Sequence, residues 1–239
     1  MELLPPPPSS SATSSSNSMP ILDSRERNWL DLPRDAVLSI FQKLPTIDIL
    51  IRTPRVCTTW RKISKDPFLY RTIDMFDLGY IRYLECLCHR AIDYSCGQII
   101  HININYFCTN DLLRHIADNA SHLRRLHLAC CYRVTDEVLC EVAEKFSHLE
   151  ELDICISGLA ICPLKAIGRC CPRLKTLEFR IIERGNPSDD DEEAFDIELN
   201  MHGFRRLQLF RDEITNKGLL AILDGCPHLE YLYMRQGFW

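Results

Sequence analysis

The fold is decided by one short stretch of sequence, His122-Leu-Arg-Arg-Leu-His-Leu128, because its frame of apolar residues returns four more times. The later copies are His148-Leu-Glu-Glu-Leu-Asp-Ile154, Arg173-Leu-Lys-Thr-Leu-Glu-Phe179, Gly203-Phe-Arg-Arg-Leu-Gln-Leu209 and His228-Leu-Glu-Tyr-Leu-Tyr-Met234. The central leucines lie 26, 25, 30 and 25 residues apart, and the longest interval contains the acidic run Ser188-Asp-Asp-Asp-Glu-Glu193. One surface insertion therefore explains the irregular interval, and the regular period predicts a stack of repeated units.

The frame also extends toward the N-terminus. Gly97-Gln-Ile-Ile-His-Ile102 is a further copy if the period is 26, which puts Ile100 at the central position and Asn105 at the place of Cys131. A weaker copy, Tyr70-Arg-Thr-Ile-Asp-Met75, lies 27 residues earlier. The frame therefore predicts six or seven repeats.

The best copy continues as Leu123-x-x-Leu126-x-Leu128-x-x-Cys131, which resembles the leucine-rich-repeat signature. The phrases Val134-Thr-Asp136 and Ile214-Thr-Asn216 resemble the cysteine-containing subclass of these repeats. Apolar residues at helical spacing follow each phrase, with Thr135 or Asp136 placed to cap the first of these helices. The resemblance implies an α/β solenoid with parallel strands on the concave face and helices outside.

The segment 28–75 breaks the period and predicts three short helices. Pro33 suits a helix start, Pro45 ends the first helix, Ile47–Ile51 begins the second, and Val56–Ile63 forms the third. Pro54 is expected either to start the third helix or to kink it. The residues before this segment, 1–27, are rich in Pro and Ser and are predicted to be a disordered tail.

This segment resembles an F-box, and an F-box followed by leucine-rich repeats is typical of plant F-box/leucine-rich-repeat proteins. The stretches that carry the resemblance are Leu32-Pro-Arg-Asp-Ala-Val-Leu-Ser-Ile-Phe-Gln-Lys-Leu-Pro45, Asp48-Ile-Leu50, Val56-Cys-Thr-Thr-Trp-Arg61 and Asp66-Pro-Phe-Leu-Tyr70. The resemblance implies a three-helix F-box at 28–75 and about six leucine-rich repeats at 76–239.

In that family the F-box binds a Skp-type adaptor, which joins it to the cullin and RING subunits of an SCF ubiquitin ligase, while the repeats hold a protein substrate. An alternative is that some apolar positions, such as Val37 and Phe41, only form the internal core of the helices. The residues that match the adaptor-binding motif are Leu32, Pro33, Val37, Ile40, Phe41, Leu44, Pro45, Ile49, Leu50, Val56 and Trp60.

Side chains that flank the central leucines are predicted to lie on the concave face, because strand side chains alternate between the two faces. Mixed charge together with Tyr, Phe and Arg suits protein recognition, and an ordinary solvated sheet face is the alternative. In the first copy the row is Ile99, His101 and Asn103. The predicted substrate-binding residues are His101, Asn103, Arg125, His127, Glu151, Asp153, Glu178, Arg180, Arg206, Gln208, Phe210, Tyr231, Tyr233 and Arg235.

Composition excludes several other functions. A net charge of −5 gives no general attraction to nucleic acid, and no stretch predicts a secretory signal or a membrane span. Thirteen cysteines, an odd number without a signal peptide, predict reduced thiols in the nucleus, the cytoplasm or both. A zinc site of Cys86, Cys88 and His89 with Cys96 or His101 is a weaker alternative, as is a cysteine nucleophile with a histidine base.

We therefore expect a substrate-recognition subunit of an SCF-type ubiquitin ligase with no catalytic residue, metal or cofactor of its own. Its role is to hold a target protein close to the charged ubiquitin-conjugating enzyme. The alternative is a protein-binding scaffold whose F-box docks the adaptor without leading to degradation.

Overall fold

The computed structural model describes residues 32–76, 83–156, 163–181, 191–210 and 214–235. The predicted tail at 1–27 lies outside these residues. The chain divides into two units, Met1–Leu32 and Pro33–Trp239, and every described residue except Leu32 belongs to the second.

The second unit begins with short helices and continues as alternating strands and helices. The helices are α1 (Arg34–Phe41), α2 (Thr46–Ile51), α3 (Thr58–Ile63), α4 (Leu84–Ser95), α5 (Asn110–Asn119), α6 (Asp136–Ala143), α7 (Leu164–Cys170), α8 (Glu192–Asn200) and α9 (Asn216–Gly225), with 3-10 turns at Thr53–Arg55 and Pro67–Tyr70. The strands are β1 (Thr72–Met75), β2 (His101–Asn105), β3 (Arg125–Ala129), β4 (Glu151–Ile156), β5 (Thr176–Ile181), β6 (Arg206–Phe210) and β7 (Tyr231–Arg235).

Pro33 marks the start of the first helix, as the sequence predicts. Pro45 was predicted to end that helix, but the helix already ends at Phe41, and Pro45 precedes the second helix instead. Pro33 precedes α1, and its carbonyl oxygen accepts hydrogen bonds from the backbone N–H groups of Ala36 and Val37, at 3.0 and 3.2 Å. Pro45 takes the same position before α2. A proline is well placed here because the first N–H groups of a helix have no partner within it.

Pro54 neither starts nor kinks α3, and that expectation is wrong. It lies in the 3-10 turn Thr53–Arg55, and α3 begins only at Thr58, two residues after the predicted start at Val56. The Sγ atom of Cys57 accepts a hydrogen bond from the backbone N–H of Trp60 at 3.4 Å and caps the helix. A separate turn thus holds Val56 outside any helix.

The strands form one parallel sheet in the order β1 to β7, and each strand pairs with the next along the chain. This arrangement confirms the leucine-rich-repeat fold class, and the weak copy at Tyr70–Met75 contains β1. The residues in register at the central position are Ile73, Ile102, Leu126, Leu152, Leu177, Leu207 and Leu232.

The predicted register of β2 is wrong by two residues. Ile102, not Ile100, pairs with Leu126, so this repeat spans 24 residues and not 26. Ile99 is fully buried and does not lie on the concave face, whereas Asn105 pairs with Ala129 and does not take the place of Cys131. A shift of two residues keeps every side chain on the same face of a strand, so His101 and Asn103 stay where they were expected.

The helices α4 to α9 pack their apolar residues against the face of the sheet that is opposite the concave face. In α5 these residues are Leu112, Leu113 and Ile116, all fully buried. Thr135 lies at the start of α6 as expected, but its side chain makes no capping hydrogen bond. Instead its backbone N–H donates to Asn110 Oδ1 at 2.9 Å and links this repeat to the preceding one.

Among the helices that the structure describes, no helix combines the length and the apolar character needed to cross a membrane.

Candidate functional site

The N-terminal helices and the turns that flank them present apolar side chains to solvent. Pro33, Ile40, Pro45 and Val56 are exposed, with exposed fractions of 37% for Ile40 and 61% for Val56, and Leu44 and Trp60 are half-buried. These six residues are named the helical surface. Leu32 is also exposed at 37% and belongs to the first unit of the chain.

The other four predicted adaptor-binding residues lie in the core. Val37, Phe41, Ile49 and Leu50 have exposed fractions of 3%, 0%, 2% and 6%, and all belong to the main apolar cluster. In this conformation their side chains pack beneath the helical surface, in the core, and are not accessible to a partner. The alternative assignment of Val37 and Phe41 to the internal core agrees with their burial.

The predicted substrate-binding side chains form rows across the concave face, because strand partners in register lie side by side. The first row is Thr72, His101, Arg125, Glu151, Thr176, Arg206 and Tyr231. The second row is Asp74, Asn103, His127, Asp153, Glu178, Gln208 and Tyr233. Phe210 and Arg235 belong to the third row with Arg180, but their side chains lie outside the described residues.

The middle of the concave face is acidic. One guanidinium nitrogen of Arg180 lies 3.2 Å from Asp153 Oδ1 and 3.3 Å from Glu178 Oε1. Burial and then the nearby charge of Asp153 raise the pKa of Glu178, and Arg180 opposes this shift. Glu151 lies on β4, the same strand as Asp153, so β4 and β5 contribute three acidic side chains beside Arg180.

A pair of histidines lies on the N-terminal side of this acidic region. The rings of His101 and His127 meet edge-on, with centroids 5.2 Å apart. Burial, followed by the charges of Arg125 and His127, lowers the pKa of His101 to about 4. Its Nε2 atom is buried and has no hydrogen-bond partner among the described residues. His101 is therefore neutral near pH 7.

A shallow cavity of about 150 Å³ lies at the N-terminal ends of strands β4 to β7. Glu151, Thr176 and Arg206 from the first row line it together with Lys175 and Glu230. Arg206 also lies over the ring of Tyr231, 5.8 Å from its centroid, which is within cation–π range. The C-terminal end of the concave face thus combines aromatic and cationic groups.

The structure does not bring the alternative zinc ligands together. Cys88 is fully buried while Cys86 is exposed, and His101 lies on β2, across the fold from helix α4. No group of three or more His, Cys, Asp or Glu residues suited to a metal ion occurs among the residues that the structure describes. Burial raises the pKa of the Cys88 thiol to about 12.

Sequence reasoning missed four residues at the C-terminal ends of β1 and β2: Asp74, Phe76, Asn105 and Tyr106. Asp74 and Asn105 occupy the concave face beside predicted residues, and Phe76 and Tyr106 follow the strands and are exposed. The alternation Thr72-x-Asp74 and His101-x-Asn103-x-Asn105 contains the signal. The correct register of the two earliest repeats was needed to read it.

Comparison with known proteins agrees with both parts of this architecture. The F-box domain model matches residues 29–72, which include helices α1 to α3. The chain is 39% identical over 220 residues to F-box/LRR-repeat protein 9 of Arabidopsis thaliana, and the match covers 88% of each protein. It is 38% identical over 230 residues to F-box/LRR-repeat protein 22 of the same plant, covering 93% of this chain and 74% of the relative.

A third relative, F-box/LRR-repeat protein 23 of Arabidopsis thaliana, is 40% identical over 224 residues. This match covers 90% of the present chain but 49% of the relative, so the chain spans about half the length of that protein. The match to a relative of similar extent, the F-box domain and the repeated parallel sheet all point to one assignment. The chain belongs to the F-box/LRR-repeat protein family.

Proposed function

We propose that the chain is the substrate-recognition subunit of an SCF-type ubiquitin ligase. Its F-box helices bind a Skp-type adaptor, through which cullin and RING subunits join, and its concave face binds the target protein. The chain itself supplies no catalytic residue. The proposal places it in the nucleus, the cytoplasm or both, and its cysteine-rich composition suits these reducing compartments.

The observation that carries the proposal is the exposure of apolar side chains on the helical surface. Val56 is 61% exposed although the core of the same helices buries Phe41 completely. When a partner covers such residues, they are removed from water and the complex is stabilised. The match of the F-box domain model to residues 29–72 supports a Skp-type adaptor as this partner.

The concave face supports the second half of the proposal. It carries acidic, basic and aromatic side chains on adjacent strands, and such mixtures provide the strong contacts of protein interfaces. Glu178, Arg180, Arg206 and Tyr231 contribute to this mixture and are all accessible at least in part. A folded protein segment is therefore the expected ligand of this face.

The test measures the affinity of the full chain for a Skp-type adaptor by calorimetry. Ile40→Ala and Val56→Ala should each weaken binding about tenfold or more, because truncated interface side chains of this kind lose their buried contacts. Leu220→Ala is the matched control, since Leu220 is a 58% exposed apolar residue on α9. Unchanged affinity in both helical-surface variants would overturn the proposal.

A second measurement separates a ligase subunit from a non-degradative scaffold. Purification of the full chain with its adaptor from plant cells should recover a cullin in the same complex. Recovery of the adaptor without cullin would favour the scaffold.

A further inference from the structure

The shallow cavity at the N-terminal ends of β4 to β7 is lined mostly by charged side chains. Its volume of about 150 Å³ is enough for a group as large as benzene. The charged residues of its lining are the acids Glu150, Glu151 and Glu230 and the bases Lys175, Arg205 and Arg206. Because the two signs are present in equal number, the position of each charge decides what the cavity can bind.

The backbone around the cavity is held by a hydrogen-bond pattern that repeats from strand to strand. The carbonyl oxygen of Glu150 accepts hydrogen bonds from the backbone N–H groups of Lys175 and Thr176, at 2.8 and 3.1 Å. The carbonyl oxygen of Lys175 accepts from Arg205 and Arg206 in the same way, at 2.9 and 3.0 Å. Each strand therefore adds two residues to the lining at fixed positions, and the cavity is preformed.

Two ion pairs neutralise four of the six charges. Nζ of Lys175 lies 3.6 Å from Glu150 Oε2 and joins β5 to β4. Nη1 of Arg205 lies 2.7 Å from Glu230 Oε1 and joins β6 to β7. Exposed pairs of this kind contribute little stability, but each one places opposite charges side by side, so their fields cancel over the rest of the cavity.

The two remaining charges, Glu151 and Arg206, lie on opposite sides of the cavity. Both belong to the first row, with Thr176 between them, and neighbouring strands are about 4.8 Å apart, so their backbones are roughly 10 Å apart. Among the described residues neither side chain has an ion pair, not even Glu151 with its register neighbour Arg125, which does not line the cavity. Arg206 lies over the ring of Tyr231, 5.8 Å from its centroid. The cavity thus has one negative and one positive side.

We propose that the shallow cavity binds a protein segment that carries a basic and an acidic side chain three residues apart, the basic group at Glu151 and the acidic group at Arg206. This inference deepens the proposed function and rests on it, because it specifies the class of substrate segment. A polyproline-II chain rises about 3.1 Å per residue with three residues per turn, so such side chains share one side about 9 Å apart. This spacing matches the separation of the two strands.

The segment runs along the first row, across the strands, and the hydroxyl group of Thr176 lies under its middle. A hydroxyl group both donates and accepts hydrogen bonds, so it suits the backbone of an extended chain. The same two charges also reject other segments. Two basic residues at this spacing bring one of them against Arg206, and two acidic residues bring one of them against Glu151, and such like-charge contacts lower affinity.

The experiment titrates the full chain, labelled with ¹⁵N, with the peptide acetyl-Arg-Pro-Pro-Glu-amide and with the reversed peptide acetyl-Glu-Pro-Pro-Arg-amide. Proline keeps both peptides extended. At least one of them should shift the backbone NMR signals of Glu151, Thr176 and Arg206. Glutamine in place of either charged residue of that peptide should weaken binding about threefold, which is within the range of exposed ion pairs. Shifts that avoid these residues, or equal affinity of charged and glutamine peptides, would overturn the inference.

Variants of the chain test the two sides of the cavity separately. Glu151→Gln should abolish the preference for the basic residue of the peptide, and Arg206→Gln the preference for the acidic one. Arg206→Glu should bind the doubly basic peptide acetyl-Arg-Pro-Pro-Arg-amide more tightly than the native chain does, a gain that misfolding cannot produce. Glu137→Gln is the matched control, because Glu137 is an exposed acid on α6 outside the cavity. An Arg206→Glu chain without this gain contradicts the site.

Adaptor binding, measured on the same variants, separates this inference from the proposed function. Glu151→Gln and Arg206→Gln lie outside the helical surface and should leave adaptor affinity unchanged. If the chain binds the charged peptides but no Skp-type adaptor, the proposed function fails and the cavity stands as a peptide site of another kind of protein. If the chain binds the adaptor but binds the charged peptides no better than the glutamine peptides, only the further inference fails.

Discussion

The ring of Trp60 lies edge-on against the ring of Phe41, with their centroids 5.0 Å apart and their planes at 76°. Phe41 is completely buried, whereas Trp60 is half-buried and reaches the helical surface. Trp60 therefore connects the core of the N-terminal helices to the surface that is proposed to bind the adaptor. A substitution of Trp60 changes stability and binding together, so other positions must be used to separate them.

Phe41→Ala and Val56→Ala should separate these effects. Phe41→Ala leaves a cavity in the core and removes the contact with Trp60, so we expect a loss of about 3–5 kcal/mol in the free energy of unfolding. Val56→Ala changes an exposed turn residue and should cost less than about 0.5 kcal/mol. Urea denaturation followed by circular dichroism measures both. Similar losses in the two variants would contradict the division of these helices into core and surface.

His101 should make the stability depend on pH. Its pKa is lowered to about 4 in the folded protein, mainly by burial and then by Arg125 and His127, against the opposing charge of Asp74. An ordinary histidine has a pKa near 6.5. The unfolded chain therefore binds more protons between these values, and stability is lost as the pH falls from about 6.5 toward 4.

The measurement compares unfolding free energies at about pH 7.5 and about pH 5 for the native chain and for His101→Gln. The variant cannot take up this proton, so its stability should decline less at the lower pH. The same decline in both proteins would show that His101 does not contribute. Only the difference between the two proteins is interpreted, because other groups, including His89 with its lowered pKa, titrate in both.

Gly225 should tolerate no side chain. A Cβ atom at this position would lie 2.4 Å from Glu198 Cα and 2.8 Å from its carbonyl oxygen, so helices α8 and α9 would have to separate. We expect Gly225→Ala to destabilise the protein by about 1–3 kcal/mol or more. Gly203→Ala is the matched control, because its Cβ would meet only the carbonyl oxygen of Leu174, at 3.6 Å. Thermal melting should show a lower Tm for Gly225→Ala alone.

Thiol labelling should distinguish Cys86 from Cys88, although only one residue separates them. Cys86 is exposed, whereas Cys88 is fully buried with a pKa raised to about 12. Iodoacetamide reacts with the thiolate, so at neutral pH we expect alkylation of Cys86 and protection of Cys88 until urea is added. Peptide mass spectrometry reads both sites. Equal labelling of the folded chain, or protection of Cys86 by added zinc, would revive the alternative metal site.

The sequence alone determined the repeat architecture of the chain. The frame around Leu126, Leu152, Leu177, Leu207 and Leu232 returns at nearly constant spacing, and each of these leucines lies at the same register position of the sheet. Such a pattern is recognisable in the sequence because each repeat packs against a similar neighbouring repeat, so the same positions are apolar in every unit. The helical segment was recognisable for a different reason, its resemblance to the F-box.

Only the tertiary structure decided the register of β2 and the roles of the F-box apolar residues. Isoleucines at 99, 100, 102 and 104 allow two registers that differ by two residues, and both keep the same face buried. Pairing with β3 selected Ile102 and brought Asn105 onto the concave face beside Ala129. In the F-box, Phe41 and Ile40 are adjacent apolar residues, yet one is buried and the other exposed. Burial depends on how three helices pack together, and local sequence does not contain that information.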